Sequence, residues 1–205
     1  MQLSLFPSKK SAPVHEPSPQ EKQLRTILDT RIPEAAMDQV ARLVFERPVS
    51  LLVTPHRTSR LGVYRPAQRH LSARISVNGS LNPYAFLITL VHEVAHHHVQ
   101  TDYIEKLNRF SLKKRKKPLP HGDEWKEKFR QLMQPFLSEE IFPRDLLTVV
   151  LDYMKNPAAS SSSDRDLGKA LRQFDPPDTT ILLETLPSEA LFLLKRRPAC
   201  LSEAV

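Results

Sequence analysis

The sequence predicts an α+β fold in which helices pack on one small, three-stranded antiparallel sheet. Three observations carry this. The runs "PVSLLVTP", "RLGVYRP" and "LSARISVN" follow one another between residues 48 and 78, each short, rich in β-branched or aromatic residues, and bounded by Pro, Ser, Arg or Gly62. Helical patterns stand on both sides of them. With 205 residues, 40% of them hydrophobic, the chain can bury one core plus a small appendage, but not two full domains.

Taken in order, residues 1–18 hold Pro7, Pro13 and Pro17 among Ser and Lys and read as a flexible arm. Residues 19–156 form the main domain. It opens with "EKQLRTIL" and "PEAAMDQVARLVF", where Pro33 suits a first helical position and Ala36, Val40, Val44 and Phe45 gather towards one face. These helices are expected to cover the sheet, and three strands in a row imply a meander. Residues 157–172 read as a Ser-rich linker with a short helix, and residues 173–205 as a small β segment.

After the strands comes "NGSLNPYAFLITLVHEVAHHHV". Asn82 then Pro83 is a good helix start, a capping side chain followed by a residue already at helical φ, and no breaker intervenes before His96. At about 100° per residue, His92 and His96 share one face with Glu93 beside them, while Leu87, Ile88, Val91, Val94 and Ala95 make the opposite side apolar. H-E-x-x-H on a helix lets two imidazoles at i and i+4 reach one ion, with the glutamate placed to act as general base on a bound water. His97 and His98 fall elsewhere on the wheel and read as packed or hydrogen-bonded residues; His15, His56 and His70 read as surface residues.

A catalytic zinc needs a third protein ligand and an open position. His121 is the only histidine after the helix. It precedes Gly122 and the helical run "DEWKEKFRQLM", in which Trp125, Phe129 and Met133 form a core stripe. The expected cofactor is therefore one catalytic Zn2+ held by His92, His96 and His121, with Glu93 as base.

The charge is local. "KLNRFSLKKRKK", residues 106–117, holds seven Lys or Arg and no acid, which equals the whole net charge of +7. Such a loop fits a polyanion, with Lys113, Lys114, Arg115, Lys116 and Lys117 as candidate nucleic-acid contacts. A solvated loop that aids solubility has the same composition. The single cysteine, Cys200, excludes an intrachain disulfide and a cysteine-built zinc ribbon and agrees with a reducing compartment. The longest nearly apolar run, "YAFLITLV", is far short of a membrane span, and Pro7 and Lys9 come too early for a signal-peptide core. A cytoplasmic protein is expected.

Three strands leading into "LVHEVAHHHV", then a basic loop, then "HGDEWKEKF", resemble the SprT-like metalloprotease family, which includes the Spartan proteases of DNA-protein crosslinks. The longer match, with "FPRDLL", "NPAASSSSD" and "LRQFD", spans roughly residues 20–195 and is similar to SprT-like proteins of Bacteroidetes-type bacteria. The resemblance implies a zincin-like fold and the same roles for His92, His96, His121 and Glu93. It also implies a protein substrate at DNA, with DNA met by the 106–117 loop. Many relatives end in a four-cysteine ribbon that this chain lacks, so ribbon-based binding does not carry over. By the same resemblance "TTILLETLPSEALFLLKRRPAC" is the start of a small β module, incomplete at Val205 and expected as a hairpin, although "PSEALFLLKRR" equally permits a short helix.

Two function classes follow. One is a zinc endopeptidase acting on DNA-associated or DNA-crosslinked proteins. The other is a DNA- or transcription-associated binding protein whose zinc is structural or weakly active. Glu93 favours the first, since a structural site needs no base there. For an oxyanion partner Tyr84, Tyr103 and His97 are equal candidates.

Overall fold

Ser18 starts the first helix by accepting the Glu21 N–H on its hydroxyl, with Pro19 fitted to the position that needs no donor. This is α1, Pro19–Leu28. A 3-10 turn, Glu34–Ala36, then leads into α2, Met37–Glu46. Pro33 sits outside that turn with extended backbone, so it precedes the helix rather than opening it. Ala36, Val40 and Val44 are buried as expected, but Phe45 is 41% exposed and Leu43 takes the inward place instead. The computed structural model describes residues 17–57, 60–110, 116–158, 164–176, 191–194 and 197–200. His15 and most of the expected arm lie outside them.

The sheet comprises β1 (Ser50–Thr54), β2 (Gly62–Arg65) and β3 (Arg74–Asn78). Its order is β1-β3-β2, with β1 parallel to β3 and β2 antiparallel to it, so the expected antiparallel meander is replaced by a mixed sheet. Burial explains the change. Ile75 and Val77 of β3 are fully buried, and the middle of a three-stranded sheet is the place that covers a strand best. β2 is thereby left as an edge strand, beside the helix that follows.

That helix, α3, runs from Pro83 to Phe110. Asn82 caps it as the sequence suggests, its side-chain oxygen accepting the N–H groups of Tyr84 and Ala85 at 3.1 and 2.9 Å. Every residue from Ala85 to Ala95 is buried, which marks this half as the core rod of the fold. The helix continues past His98 because residues 99–110 contain neither Pro nor Gly. Lys106 and Arg109, expected in a loop, are thus on the exposed end of α3.

α4, Asp123–Met133, packs along α3 with Trp125, Phe129 and Met133 buried. α5, Arg144–Lys155, and α6, Arg165–Arg172, close the unit by burying Leu146, Val150, Tyr153, Leu167 and Leu171. The Asn82 amide donates to the Leu171 carbonyl at 2.9 Å, so the cap of α3 also holds the end of α6.

The chain divides into two compact units after Phe174, two residues beyond α6, and Phe174 packs edge-on against Tyr84 at 4.8 Å. In the second unit β4 (Leu191–Leu194) and β5 (Arg197–Cys200) pair antiparallel, a strand pair and not a helix. The architecture is α+β, and no helix among the described residues is long and apolar enough to cross a membrane.

Candidate metal centre

Two of the three histidines are brought to one face by helical repeat. His92 and His96 stand one turn apart on α3, and their Nε2 atoms lie 3.2 Å from each other. His121 comes from the segment before α4 and puts its own Nε2 3.1 Å from that of His92 and 2.9 Å from that of His96. Three ring nitrogens converge on one point, so the three expected ligands are brought together. Hydrogen bonds cannot account for this triangle, because each facing nitrogen of a neutral imidazole carries either a proton or a lone pair, so at least one of the three facing pairs must oppose like to like. A shared cation removes that conflict. The group can hold a metal ion.

His121 reaches the site through an unusual backbone. Leu119 to Gly122 form a turn closed by the Gly122 N–H donating to the Leu119 carbonyl at 3.0 Å. Pro120 occupies its second position, and His121, at the third, has φ of 58°. Proline followed by positive φ is the type II pattern, whose third position normally belongs to Gly. For an L-residue the left-handed region costs about 1–2 kcal/mol. Gly122 matters differently: a Cβ there would stand 3.2 Å from both the Cβ and the carbonyl oxygen of Leu119, so a side chain would crowd the turn.

Trp125 sets the three rings in place. Its indole stacks on His96 at 5.3 Å, meets His92 at 4.5 Å and His121 edge-on at 4.7 Å, and rests on Phe129 at 5.0 Å. Its Nε1–H donates to the His92 carbonyl at 3.4 Å, tying α4 to the ligand helix. The core stripe expected from the sequence is therefore also the wall of the site.

Glu93 lies one residue after His92 and is 7% exposed. Its carboxylate packs against β2, where a Cβ added to Gly62 would come within 2.6 Å of Oε1 and 2.8 Å of Cγ. Burial pushes the Glu93 carboxyl up to about 7, opposed by a hydrogen bond from the Tyr64 backbone. The same burial, together with the neighbouring rings, lowers His92 to about 3 and His96 to about 4, and burial also lowers His121. These imidazoles stay neutral, the form in which a ring nitrogen ligates.

His97 and His98 are buried and turned away from the triangle; His97 meets the Tyr64 hydroxyl at 3.3 Å, whereas His98 Nε2 has no hydrogen-bond partner. His56 and His70 are exposed. Among the oxyanion candidates, Tyr84 packs against Phe142 and Phe174, His97 is held by Tyr64, and Tyr103 is half-buried further along α3. Lys116 and Lys117 are exposed, while Lys113, Lys114 and Arg115 lie outside the described residues. Spacing does not mark Gly62, Tyr64 or Trp125 as site residues. A glycine inside a strand, in a chain with only four glycines, is the one signal that points to such a close approach.

No family model matches the chain, and neither a curated protein nor a solved structure does.

Proposed function

We propose that the chain is a zinc-dependent metallopeptidase of zincin-like build, similar to the SprT-like family, that hydrolyses peptide bonds in proteins held at DNA. The observation that carries this is the pairing of three converging Nε2 atoms with a buried carboxylate one residue from the first of them. Tetrahedral nitrogen ligands at the usual zinc distance stand about 3.3–3.4 Å apart, so a triangle of 2.9–3.2 Å needs only a slight opening to receive that ion. An all-imidazole set of three suits zinc and leaves a position for water. When bound, zinc supplies a Lewis acid and lowers the pKa of its water.

The chain's own groups do the rest. Glu93, fixed between Gly62 and the Tyr64 backbone, takes the proton of the attacking water on a carboxylate oxygen and passes it to the leaving amine. β2 offers the substrate an edge. The Asn78 N–H donates to the Leu61 carbonyl, and the alternation of an antiparallel ladder then turns the backbone groups of Gly62 and Tyr64 outward, away from β3, where the Tyr64 N–H meets Glu93 and the Gly62 groups and the Tyr64 carbonyl face the substrate side. An extended peptide can pair there, next to Glu93. The acid-free run at 106–117, with Lys106, Arg109, Lys116 and Lys117 exposed, supports DNA as the anchoring partner, and the single Cys200 supports a cytoplasmic setting.

The test is metal analysis of purified protein beside a protein-cleavage assay with and without DNA. Glu93→Gln is expected to keep one zinc per chain and to lose cleavage by about 10²–10⁴-fold. Unchanged cleavage by that variant sinks the general-base role. Full zinc with no cleavage by the native chain on any protein substrate, with or without DNA, leaves the metal as a structural element of a binding protein.

A further inference from the structure

The sheet has two faces, and only one serves the site. Ile75 and Val77 point inward with Leu51, Val53 and Tyr64, whereas Ser50, Leu52, Arg65 and Arg74 point to the other side and are exposed. Register aligns three of these in one row: Ser50 on β1 is opposite Arg74 on β3, and Arg74 is opposite Arg65 on β2. Residues 66–72 rise beside this row and complete a cavity of about 630 Å³ with Gln68, His70 and Ser72 among its walls.

The charge of this region is one-sided. Residues 47–92 contain six arginines and no Asp, Glu or Lys. Arg47 pairs with Asp102 at 2.6 Å, but no carboxylate pairs with Arg65, Arg69 or Arg74 among the described residues. Like charges directly opposite on a sheet face oppose pairing. Here they are retained without an acid to relieve them. The connecting loop is also built rather than slack: Gln68 and Leu71 exchange backbone hydrogen bonds at 3.0 and 2.6 Å, with Arg69 held at φ of 38° between them.

We propose that this outer face is a binding site for a phosphate-bearing ligand, gripped by Arg65 and Arg74. It is separate from the metal centre and does not depend on the hydrolytic activity proposed above. The donor count selects the anion. Two guanidinium forks with the hydroxyls of Ser50 and Ser72 exceed what one carboxylate's pair of oxygens accepts, whereas a phosphoryl group offers three terminal oxygens to several forks at once. The cavity is also far larger than an acidic side chain and falls in the ordinary range for small-ligand sites, about 300–1,000 Å³. The ligand is a small phosphate ester or the backbone of a nucleic acid, which share this chemistry.

Calorimetric titration and heat unfolding of the full chain at constant ionic strength test the site, with inorganic phosphate, AMP and a ten-nucleotide oligothymidylate as probes. Phosphate and AMP are expected to bind and to lose about tenfold in affinity in Arg65→Gln/Arg74→Gln. Oligothymidylate binding more than about tenfold tighter than AMP, and lost in the arginine variant, assigns the site to a nucleic-acid backbone; equal affinity assigns it to a small ester. In chloride alone Arg74→Gln is expected to unfold no earlier than the native chain, since it removes a like-charge pair. Equal phosphate and AMP responses in native and arginine variants overturn the site. So does an acidic peptide binding as tightly as AMP, or a lower unfolding temperature of Arg74→Gln in chloride alone.

Discussion

Two of the three converging histidines belong to a rod, and the third belongs to a bend. His92 and His96 take their places from the repeat of α3, whose residues 85–95 are buried and whose start is capped by Asn82, so their separation follows from the helix itself. His121 has no such support from its own segment: it sits at φ of 58° in a four-residue turn, and its ring is placed by Trp125 on the next helix. The difference shows where such a site can be altered. The helical half cannot shift without the core, whereas the turn half can be lost while the core stands.

Trp125→Ala breaks the link between the halves and carries the largest expected effect on stability. Loss of a fully buried indole costs about 3–5 kcal/mol, read by denaturant unfolding, with zinc content falling because His121 loses its wall. If the variant keeps full zinc, the turn holds His121 unaided and the contrast between the halves fails. Gly62→Ala strikes the helical half. Its new methyl meets the Glu93 carboxylate and Thr89 Cγ2 within 2.8 Å, so about 1–3 kcal/mol of overpacking strain is expected, and with it a loss of the proposed cleavage while the proposed zinc is kept. Native cleavage with native stability in that variant would separate Glu93 from β2. The smallest effect is the most telling. His121→Gly removes one of the three converging rings but relieves the left-handed residue, so the metal-free protein is expected to gain about 1 kcal/mol in unfolding while the proposed zinc is no longer held. A metal-free His121→Gly that unfolds more easily than the metal-free native chain shows the turn to be unstrained.

The same contrast separates what could be read from the sequence. Helix α3, its Asn82 cap, and His92, Glu93 and His96 follow from spacing and local chemistry, and His121 was reachable as the one histidine downstream. The order of the strands was not, because the three runs look alike and only the burial of Ile75 and Val77 decides which is central. The charge run suggests a loop and so hides the length of α3, although nothing in residues 99–110 stops a helix. Gly62 and Tyr64 lie some thirty residues from Glu93 in sequence, and no periodicity links an edge strand to a helix face across that distance.

The Asn82 amide reaches across 89 residues to the Leu171 carbonyl, and this bears on the order in which the protein is made. Synthesis has added all three histidines by residue 121, well before α6, Arg165–Arg172, is made. The first turn of α3 is then still missing two neighbours, the Leu171 carbonyl for Asn82 and the Phe174 ring for Tyr84. Because a unit of this kind folds as a whole, the histidine triangle is held in place only once α6 has left the ribosome. Synthesis thus sets a delay between having the three histidines and having the triangle, and α6, which contributes none of them, ends it.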